Sequence, residues 1–298
     1  MTEIVPKEAE ALLDWPGLLA ALEAGHRLPR AGIKDLFLHR GADTLLDRAA
    51  WIDGLGSLVK VATVHPGNAT HGLPTINGAV TLFDDVTGVL SAIVDFHLVT
   101  KWKTAGDSLL SASRLARKDS REFLLVGAGT VARSMVEAYS SLFPEARFTV
   151  WSRSRDSAEA MGLPVAEDLE AAVRAADVIC TATMATAPLI RGEWLRPGQH
   201  LDLIGAFKPG MREVDDHAMQ RARLFVDSRA TTIHHIGEIM EPLASGAITE
   251  GDILADFYDD PALYARRSEA EITIAKNGGG AHLDLMTARF IADRWSSR

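Results

Sequence analysis

A glycine-rich segment between an apolar run and an amphipathic run carries the clearest chemistry in this chain of 298 residues. It consists of Gly127, Ala128, Gly129, Thr130, Val131 and Ala132. This G-x-G-x-x-A pattern follows a predicted strand, 122–126, and opens a predicted helix, 131–142, as in loops that bind the pyrophosphate of a dinucleotide. There Gly127 permits a tight turn, Gly129 lets the backbone approach the phosphates, and Ala132 keeps helix and strand close. The alternative is a strand-to-helix turn whose glycines serve packing alone.

The residues after the next predicted strand, 147–151, bear on which dinucleotide is bound. An NAD site usually places Asp or Glu there, for the ribose 2′-hydroxyl. This chain instead has Ser152, Arg153, Ser154 and Arg155. Because a guanidinium pairs with phosphate oxygens and a carboxylate would repel them, the segment favours NADP(H) over NAD(H). Arg155 has a second interpretation, as a solvated charge on the following helix, which leaves Arg153 to act alone.

Two further predicted strands, 178–181 and 200–204, end in small and polar residues. Ligands of parallel sheets bind outside the carboxyl ends of the strands, so these residues are predicted to line the cofactor cleft. They are Thr181, Thr183, Ile204 and Gly205.

The elements that position these residues change in kind along the chain. An amphipathic helix interrupted near Pro16 is predicted within 1–30, and four β-rich runs follow, at 44–51, 57–64, 78–83 and 89–94. They predict a mostly antiparallel sheet, and a predicted helix at 99–117 leads the chain out of it. After residue 118, strands alternate with helices, which predicts a doubly wound parallel sheet of the Rossmann type. A last helix is predicted from about 283 to 295.

Composition limits the partners and the compartment. The 40 acidic and 31 basic residues give a net charge of −9, which argues against nucleic acid and acidic membranes as partners. No stretch approaches the roughly 20 apolar residues of a membrane span. The lone Cys180 suits a reducing compartment, so the cytoplasm is expected. No metal is predicted, because the histidines lack ligand spacing and His234 and His235, being adjacent, point apart on any regular element.

Taken together, several segments resemble the ornithine cyclodeaminase/mu-crystallin family over nearly the whole chain. They are 59–61 (Val-Lys-Val), 66–68 (Pro-Gly-Asn), 98–105, 127–129, 151–154, 181–188, 196–198 (Arg-Pro-Gly), 212–216 and 226–227. The resemblance implies a Rossmann domain, 118–283, inserted into a smaller α+β domain, 1–117 plus 284–298. The smaller domain would bind substrate and form a homodimer. Members use a nicotinamide cofactor to reduce imines or to cyclise ornithine, and some animal members are binding or lens proteins.

The resemblance also implies roles for individual residues. It places Lys60 at the family's active-site lysine, where an ammonium can hold a carboxylate or deliver a proton. The alternative is an ordinary surface lysine on a sheet. Thr75 matches a position near the cofactor, and Asn277 falls where the family has a serine close to the nicotinamide.

Three departures from the family pattern shape the interpretation. Lys103 replaces an arginine, and a lysine lacks the bidentate fork for carboxylate. The family's upstream arginine has four candidates, Arg30, Lys34, Arg40 and Arg48. Phe207 stands where the cyclodeaminases carry a catalytic aspartate, so the deaminating and cyclising steps lose their acid/base group.

These residues predict an NAD(P)H-dependent reductase of a small imino acid such as Δ1-pyrroline-2-carboxylate. Lys60 would assist hydride transfer to the imine carbon, Lys103 would bind carboxylate, and Phe207 would form an apolar wall. One alternative is ornithine cyclodeaminase, which requires another acid near the cleft, and Asp107 or Asp202 could substitute only if the fold turns them inward. The other is a non-catalytic NADP-binding protein.

Overall fold

The computed structural model describes residues 2–298, whose strands fall into two sheets. In chain order the strands are β1 (Glu3–Val5), β2 (Gly32–Arg40), β3 (Asp43–Ile52), β4 (Gly56–Val64), β5 (Ile76–Phe83), β6 (Leu90–Val94), β7 (Glu122–Val126), β8 (Arg147–Trp151), β9 (Val178–Thr181), β10 (His200–Leu203), β11 (Arg223–Val226), β12 (Ile253–Ala255) and β13 (Thr273–Lys276).

The α-helices surround these strands in sequence. They are α1 (Trp15–His26), α2 (Phe96–Leu115), α3 (Thr130–Leu142), α4 (Arg155–Glu159), α5 (Leu169–Ala175), α6 (Asp216–Arg221), α7 (Arg229–Thr232), α8 (Gly237–Ser245) and α9 (Ala281–Ser296). Short 3₁₀ helices cover Lys7–Leu12, Pro66–His71, Gly192–Trp194 and Glu250–Asp252. None of the helices described between residues 2 and 298 is both long and apolar enough to cross a membrane.

The chain divides into two compact units, 1–103 with 280–298 and 104–279. The border between these compact units lies at Lys103 and Thr104, inside α2, whereas the domain border predicted from the sequence follows residue 117. The return border lies at Gly279 and Gly280. Helix α2 is continuous from Phe96 to Leu115, so no helix break marks the border in the sequence.

The first unit contains a sheet in the order β1-β6-β5-β4-β3-β2. Its strands pair antiparallel except β1, which lies parallel to β6. The predicted strands of this region are confirmed, but β1 and β2 were missed. Strand β2 is an edge strand whose consecutive Leu36, Phe37 and Leu38 are all exposed, so it lacks the alternation that marks a half-buried strand.

The N-terminal prediction needs a correction. Residues 1–30 contain a strand, a 3₁₀ helix and α1, and Pro16 does not interrupt a helix. Pro16 lies in the first turn of α1, where a proline costs no hydrogen bond, and Asp14 caps that turn by accepting from the Gly17 amide at 2.7 Å.

The second unit contains a parallel sheet in the order β12-β11-β13-β10-β9-β7-β8, which confirms the Rossmann-type prediction. Buried strands such as β7 have continuous apolar sequences because both faces of the sheet are covered. The chain passes from β7 to β8 on one side and then returns to β9 on the other side. The switch point between β7 and β9 is where open α/β sheets bind ligands.

Candidate functional site

The turn after β7 is built for close backbone approach. Gly127 is buried and has a φ of +111°, a conformation that L side chains rarely adopt. Its amide donates to the Trp151 carbonyl oxygen at 2.8 Å. A Cβ atom on Gly127 would lie 2.5 Å from the carbonyl oxygen of Ala182, in the loop after β9. Only glycine allows the two loops of the switch point to meet in this way.

Gly129 provides the open face of the same turn. It is the N-cap of α3, with a φ of −83°, and no side chain caps the first-turn amides. A Cβ atom built on Gly129 would meet no atom within 4 Å. Ala132, in the first turn of the helix, is buried. Ala128, Thr130 and Val131 complete the turn and are exposed or half-buried. Open space before the N-terminus of a helix suits a pyrophosphate, so the segment fits a dinucleotide.

The two arginines after β8, Arg153 and Arg155, have different environments in the structure. Arg155 is paired with Glu159 and Glu167, each at 2.7 Å, on the exposed side of α4. Arg153 is exposed and makes no ion pair with the residues that the structure describes. Ser154 caps α4 by accepting from the amide of Ser157 at 3.3 Å, and Ser152 is half-buried.

A carboxylate that the motif analysis missed holds the loops after β9 and β10. Glu213 is fully buried, and Oε1 accepts from the amide of Thr183 at 2.9 Å and from its hydroxyl at 2.7 Å. Oε2 accepts from the Thr181 hydroxyl at 2.8 Å and from the Gly205 amide at 2.7 Å. Thr181, Thr183 and Gly205, three predicted cofactor residues, are therefore brought together by Glu213. Glu213 lies in the segment 212–216 that carries the family resemblance, but it follows no predicted strand end and was not predicted as a site residue.

A second buried carboxylate supports the first. Glu238 accepts from the backbone amides of Glu213 at 2.8 Å and Val214 at 3.1 Å. Burial, together with repulsion from Glu213, raises the pKa of Glu238 to about 7. Lys276 is also buried and donates to the Leu203 carbonyl oxygen at 2.7 Å, and burial lowers the pKa of its ammonium. These groups fix the strand ends electrostatically.

The other predicted residues of the second unit have diverse environments. Ile204 is buried, and its amide donates to the Thr181 carbonyl oxygen at 2.9 Å. Asn277 is buried, and its Nδ2 donates to the Thr104 carbonyl oxygen at 3.1 Å and to the Ser108 hydroxyl at 3.2 Å. Phe207 is 56% exposed, so it presents an apolar surface.

In the first unit, Lys60 lies on the buried face of the sheet. Period-two alternation along β4 puts it on the same face as Leu58 and Ala62, so the surface-lysine interpretation is wrong. Its Nζ donates to Asp284 Oδ1 at 2.8 Å and to the Thr100 hydroxyl at 2.8 Å. Neither partner was among the predicted site residues, because α9 and α2 bring them in from distant positions in the chain.

Cations cluster around this pair. Arg48 lies opposite Lys60 in the register of β3 and β4, and its Nη1 is 3.9 Å from Asp284 Oδ2. The pKa of Lys60 is lowered to about 8, chiefly by burial and also by repulsion from Lys103 and Arg48, while attraction to Asp284 opposes the shift. Burial alone would raise the pKa of Asp284, but attraction to Lys60, Lys103 and Arg48 outweighs it, and the pKa is lowered. Three cations, Lys60, Lys103 and Arg48, therefore act on one buried carboxylate.

The structure also separates the four candidates for the upstream cation. Arg40 pairs with Asp43 at 3.0 Å on the hairpin turn, and Lys34 is exposed. Arg30 acts electrostatically on buried His282, and Arg48 acts on both Lys60 and Asp284. Thr75 lies before β5, where its carbonyl oxygen accepts from the His65 amide at 2.8 Å.

A Rossmann-type dinucleotide loop and a buried lysine–carboxylate pair in one chain define an NAD(P)-dependent oxidoreductase. The family model described as "Ornithine cyclodeaminase/mu-crystallin family" matches residues 53–298, and the chain belongs to this family.

Relatives of named activity support the assignment. The chain is 53% identical to Δ1-pyrroline-2-carboxylate reductase of Paracoccus denitrificans, over 96% of this chain and 94% of the relative. It is 35% identical to the mouse ketimine reductase mu-crystallin, over 80% and 76% of the two chains. Among solved structures, an archaeal alanine dehydrogenase dimer with bound NAD is 28% identical, with a TM-score of 0.89, covering 99% of this chain and 96% of that one.

Proposed function

We propose that this protein reduces Δ1-pyrroline-2-carboxylate, or a closely similar cyclic imino acid, to the amino acid with a reduced nicotinamide dinucleotide. The observation that carries the proposal is the 53% identity to a reductase of that name over 96% of the chain. The relatives named as ketimine reductases act on the same functional group, a carbon–nitrogen double bond.

The residues of the first unit supply binding and proton chemistry. We propose that Arg48 and Lys103 attract the substrate carboxylate, since both are cations in the cluster around Asp284. Lys60 then faces the imine with an ammonium whose pKa, about 8, is close to the operating range of a general acid. Phe207, a residue of the second unit, is proposed from the family resemblance as an apolar wall for the ring of the substrate.

The residues of the second unit would hold the dinucleotide, which supplies a hydride when it is bound. We propose that Gly127, Ala128, Gly129, Thr130, Val131 and Ala132 hold the pyrophosphate, and that Thr181, Thr183, Ile204, Gly205 and Asn277 contact the remainder. Thr75, a residue of the first unit, is proposed as a further cofactor residue from the family resemblance. Glu213 keeps the Thr183 and Gly205 loops in place through the hydrogen bonds already described.

We propose that NADP(H) is preferred over NAD(H). Arg153 carries no competing ion pair among the described residues, and Ser152 and Ser154 flank it, whereas Arg155 is engaged by Glu159 and Glu167. The relevant position therefore holds a guanidinium that can pair with a 2′-phosphate and lacks the acid that recognises a 2′-hydroxyl.

We also propose a homodimer in the cytoplasm. Leu36, Phe37, Leu38 and Trp51 are each more than half exposed on β2 and β3, and β2 is an unpaired edge of its sheet. A second copy would cover this apolar surface, as exposed apolar patches on sheet edges usually require. The archaeal alanine dehydrogenase of similar fold is a dimer. Cys180 is buried and free, which agrees with a reducing compartment.

Ornithine cyclisation is the less favoured activity. Its catalytic aspartate is replaced by Phe207, and Asp202 is no substitute. Asp202 is buried in β10, where Oδ2 accepts from the Tyr139 hydroxyl at 2.5 Å and Oδ1 lies 3.2 Å from His200 Nε2. Asp107 is also fully buried.

The test is an assay of the purified protein with Δ1-pyrroline-2-carboxylate and either NADPH or NADH, followed by loss of reduced-nicotinamide absorbance and by detection of L-proline. We expect proline formation, faster with NADPH at subsaturating cofactor. Cofactor binding without turnover would contradict the reductase proposal and favour a binding protein. Proline and ammonia from ornithine, with no net cofactor consumption, would favour the cyclodeaminase.

A further inference from the structure

Asp284 is a buried carboxylate behind the amino group of Lys60. It lies in the first turn of α9 and is fully buried. Oδ1 accepts from Lys60 Nζ at 2.8 Å, whereas Oδ2 accepts no hydrogen bond from the residues that the structure describes. A buried carboxylate with an incomplete set of donors is costly unless its charge is compensated. Here the compensation comes from Lys60 at 2.8 Å and Arg48 at 3.9 Å.

Thr100 fixes the direction of a second N–H bond of the Lys60 ammonium. Its hydroxyl donates to the Phe96 carbonyl oxygen at 2.8 Å, and the hydroxyl oxygen accepts from Lys60 Nζ at 2.8 Å. The Phe96 ring covers the same nitrogen, with its centroid at 4.8 Å. Two of the three ammonium protons are therefore assigned to Asp284 and Thr100.

The charges around Lys60 are unbalanced without Asp284. Lys103 on α2 and Arg48 on β3 both disfavour the ammonium, and Asp284 on α9 favours it. Asp35 on β2 is engaged by Arg48, at 2.9 Å. His282, also on α9, is kept neutral because burial, with smaller contributions from Lys103, Arg48 and Arg30, lowers the pKa of its imidazole to about 3. Asp284 is the anion in direct contact with Lys60.

We infer that Asp284 is a positioning residue that aims Lys60 Nζ and keeps it protonated, so that Lys60 serves as the proton donor in the proposed imine reduction. The inference rests on the proposed function for the identity of the acceptor. Reduction adds a hydride to the imine carbon and a proton to the nitrogen. The Nζ–H bond of Lys60 breaks, the substrate N–H bond forms, and the neutral lysine regains a proton from water.

The first test is the pH dependence of kcat for Δ1-pyrroline-2-carboxylate reduction. Wild-type activity should fall as the pH rises through about 8, because the donor is then deprotonated. In Asp284→Asn the alkaline limb of the profile, where kcat falls, should lie at least about one pH unit lower. This shift corresponds to a roughly tenfold loss of kcat at alkaline pH, with little loss at acidic pH. The dissociation constant of NADPH should be unchanged.

A matched control lies on the same helix. Thr287 is buried one turn after Asp284, and its hydroxyl has no hydrogen-bond partner in the described chain. Thr287→Val should leave the pH profile unchanged. Asp284→Glu keeps the charge and displaces it, so its limb should stay near the wild-type position while kcat falls. An Asp284→Asn limb at the wild-type pH, or an Asp284→Glu limb shifted as far as that of Asp284→Asn, would overturn the inference.

A second measurement separates this inference from the substrate proposal. The pKa of Lys60 can be followed by NMR in protein labelled at lysine Cε, with the signal assigned by Lys60→Arg. A fall of about one unit or more in Asp284→Asn supports the positioning role even if wild-type protein does not turn over the imine, an outcome that would contradict the proposed function alone. An unchanged Lys60 pKa would refute the positioning role.

Discussion

Breaking the Lys60–Asp284 pair from the lysine side should destabilise the first unit. In Lys60→Met the apolar body of the side chain is retained, but Asp284 keeps a charge at a site with no solvent exposure. Removal of one partner from a buried pair costs about 3–5 kcal/mol. Because Arg48 Nη1 remains 3.9 Å from Asp284 Oδ2, we expect the lower end, about 3 kcal/mol.

The double variant Lys60→Met/Asp284→Asn tests whether uncompensated charge is the cause. It removes both charges, so most of the lost stability should return while reductase activity stays absent. Calorimetry would measure this as a loss of roughly 10 °C in the melting temperature of Lys60→Met, largely restored in the double variant. Thr287→Val serves as the control for perturbation of α9.

Two results would refute this reasoning. If Lys60→Met melts at the wild-type temperature, the pair contributes no stability and Asp284 is neutralised in another way. If the double variant is no more stable than Lys60→Met, the loss reflects packing around β4 rather than charge.

Three other changes test the second unit. Gly127→Ala should lower both stability and dinucleotide affinity, since its Cβ would lie 2.5 Å from the Ala182 carbonyl oxygen, whereas Gly129→Ala should leave the melting temperature near wild type and weaken affinity alone. Fluorescence titration and a melting curve distinguish them, and equal melting temperatures would contradict the assignment of the turn. Arg153→Glu should raise the dissociation constant of NADPH about tenfold or more and leave that of NADH nearly unchanged, as one lost charged contact predicts; equal effects on both would refute 2′-phosphate recognition. Glu213→Gln replaces an acceptor oxygen by a donor facing other donors, so we expect weaker binding of both dinucleotides to a similar degree, and a selective effect on one would contradict its role in holding the loops.

The sequence by itself determined the parts that depend on local pattern. The loop from Gly127 to Ala132 was recognisable because a tight turn and a helix start require those small residues in that order. The alternation of strands and helices after residue 118 predicted the parallel sheet, because strands that are connected by helices pair in parallel. The buried position of Lys60 was left open by the sequence, because Leu58 and Ala62 on its own face and Val59 and Val61 on the other face are equally apolar.

Tertiary structure decided which distant groups meet. Asp284 is on the last helix and Thr100 is on α2, and no local spacing relates either one to Lys60 in β4. The same holds for Glu213, whose partners lie after β9 and β10. A carboxylate's role depends on burial and on which cations and amides surround it, and these follow from the packing of elements that are remote in the chain. The loop motif therefore predicted a class of cofactor, whereas only the fold provided the charged partners that set the chemistry of Lys60.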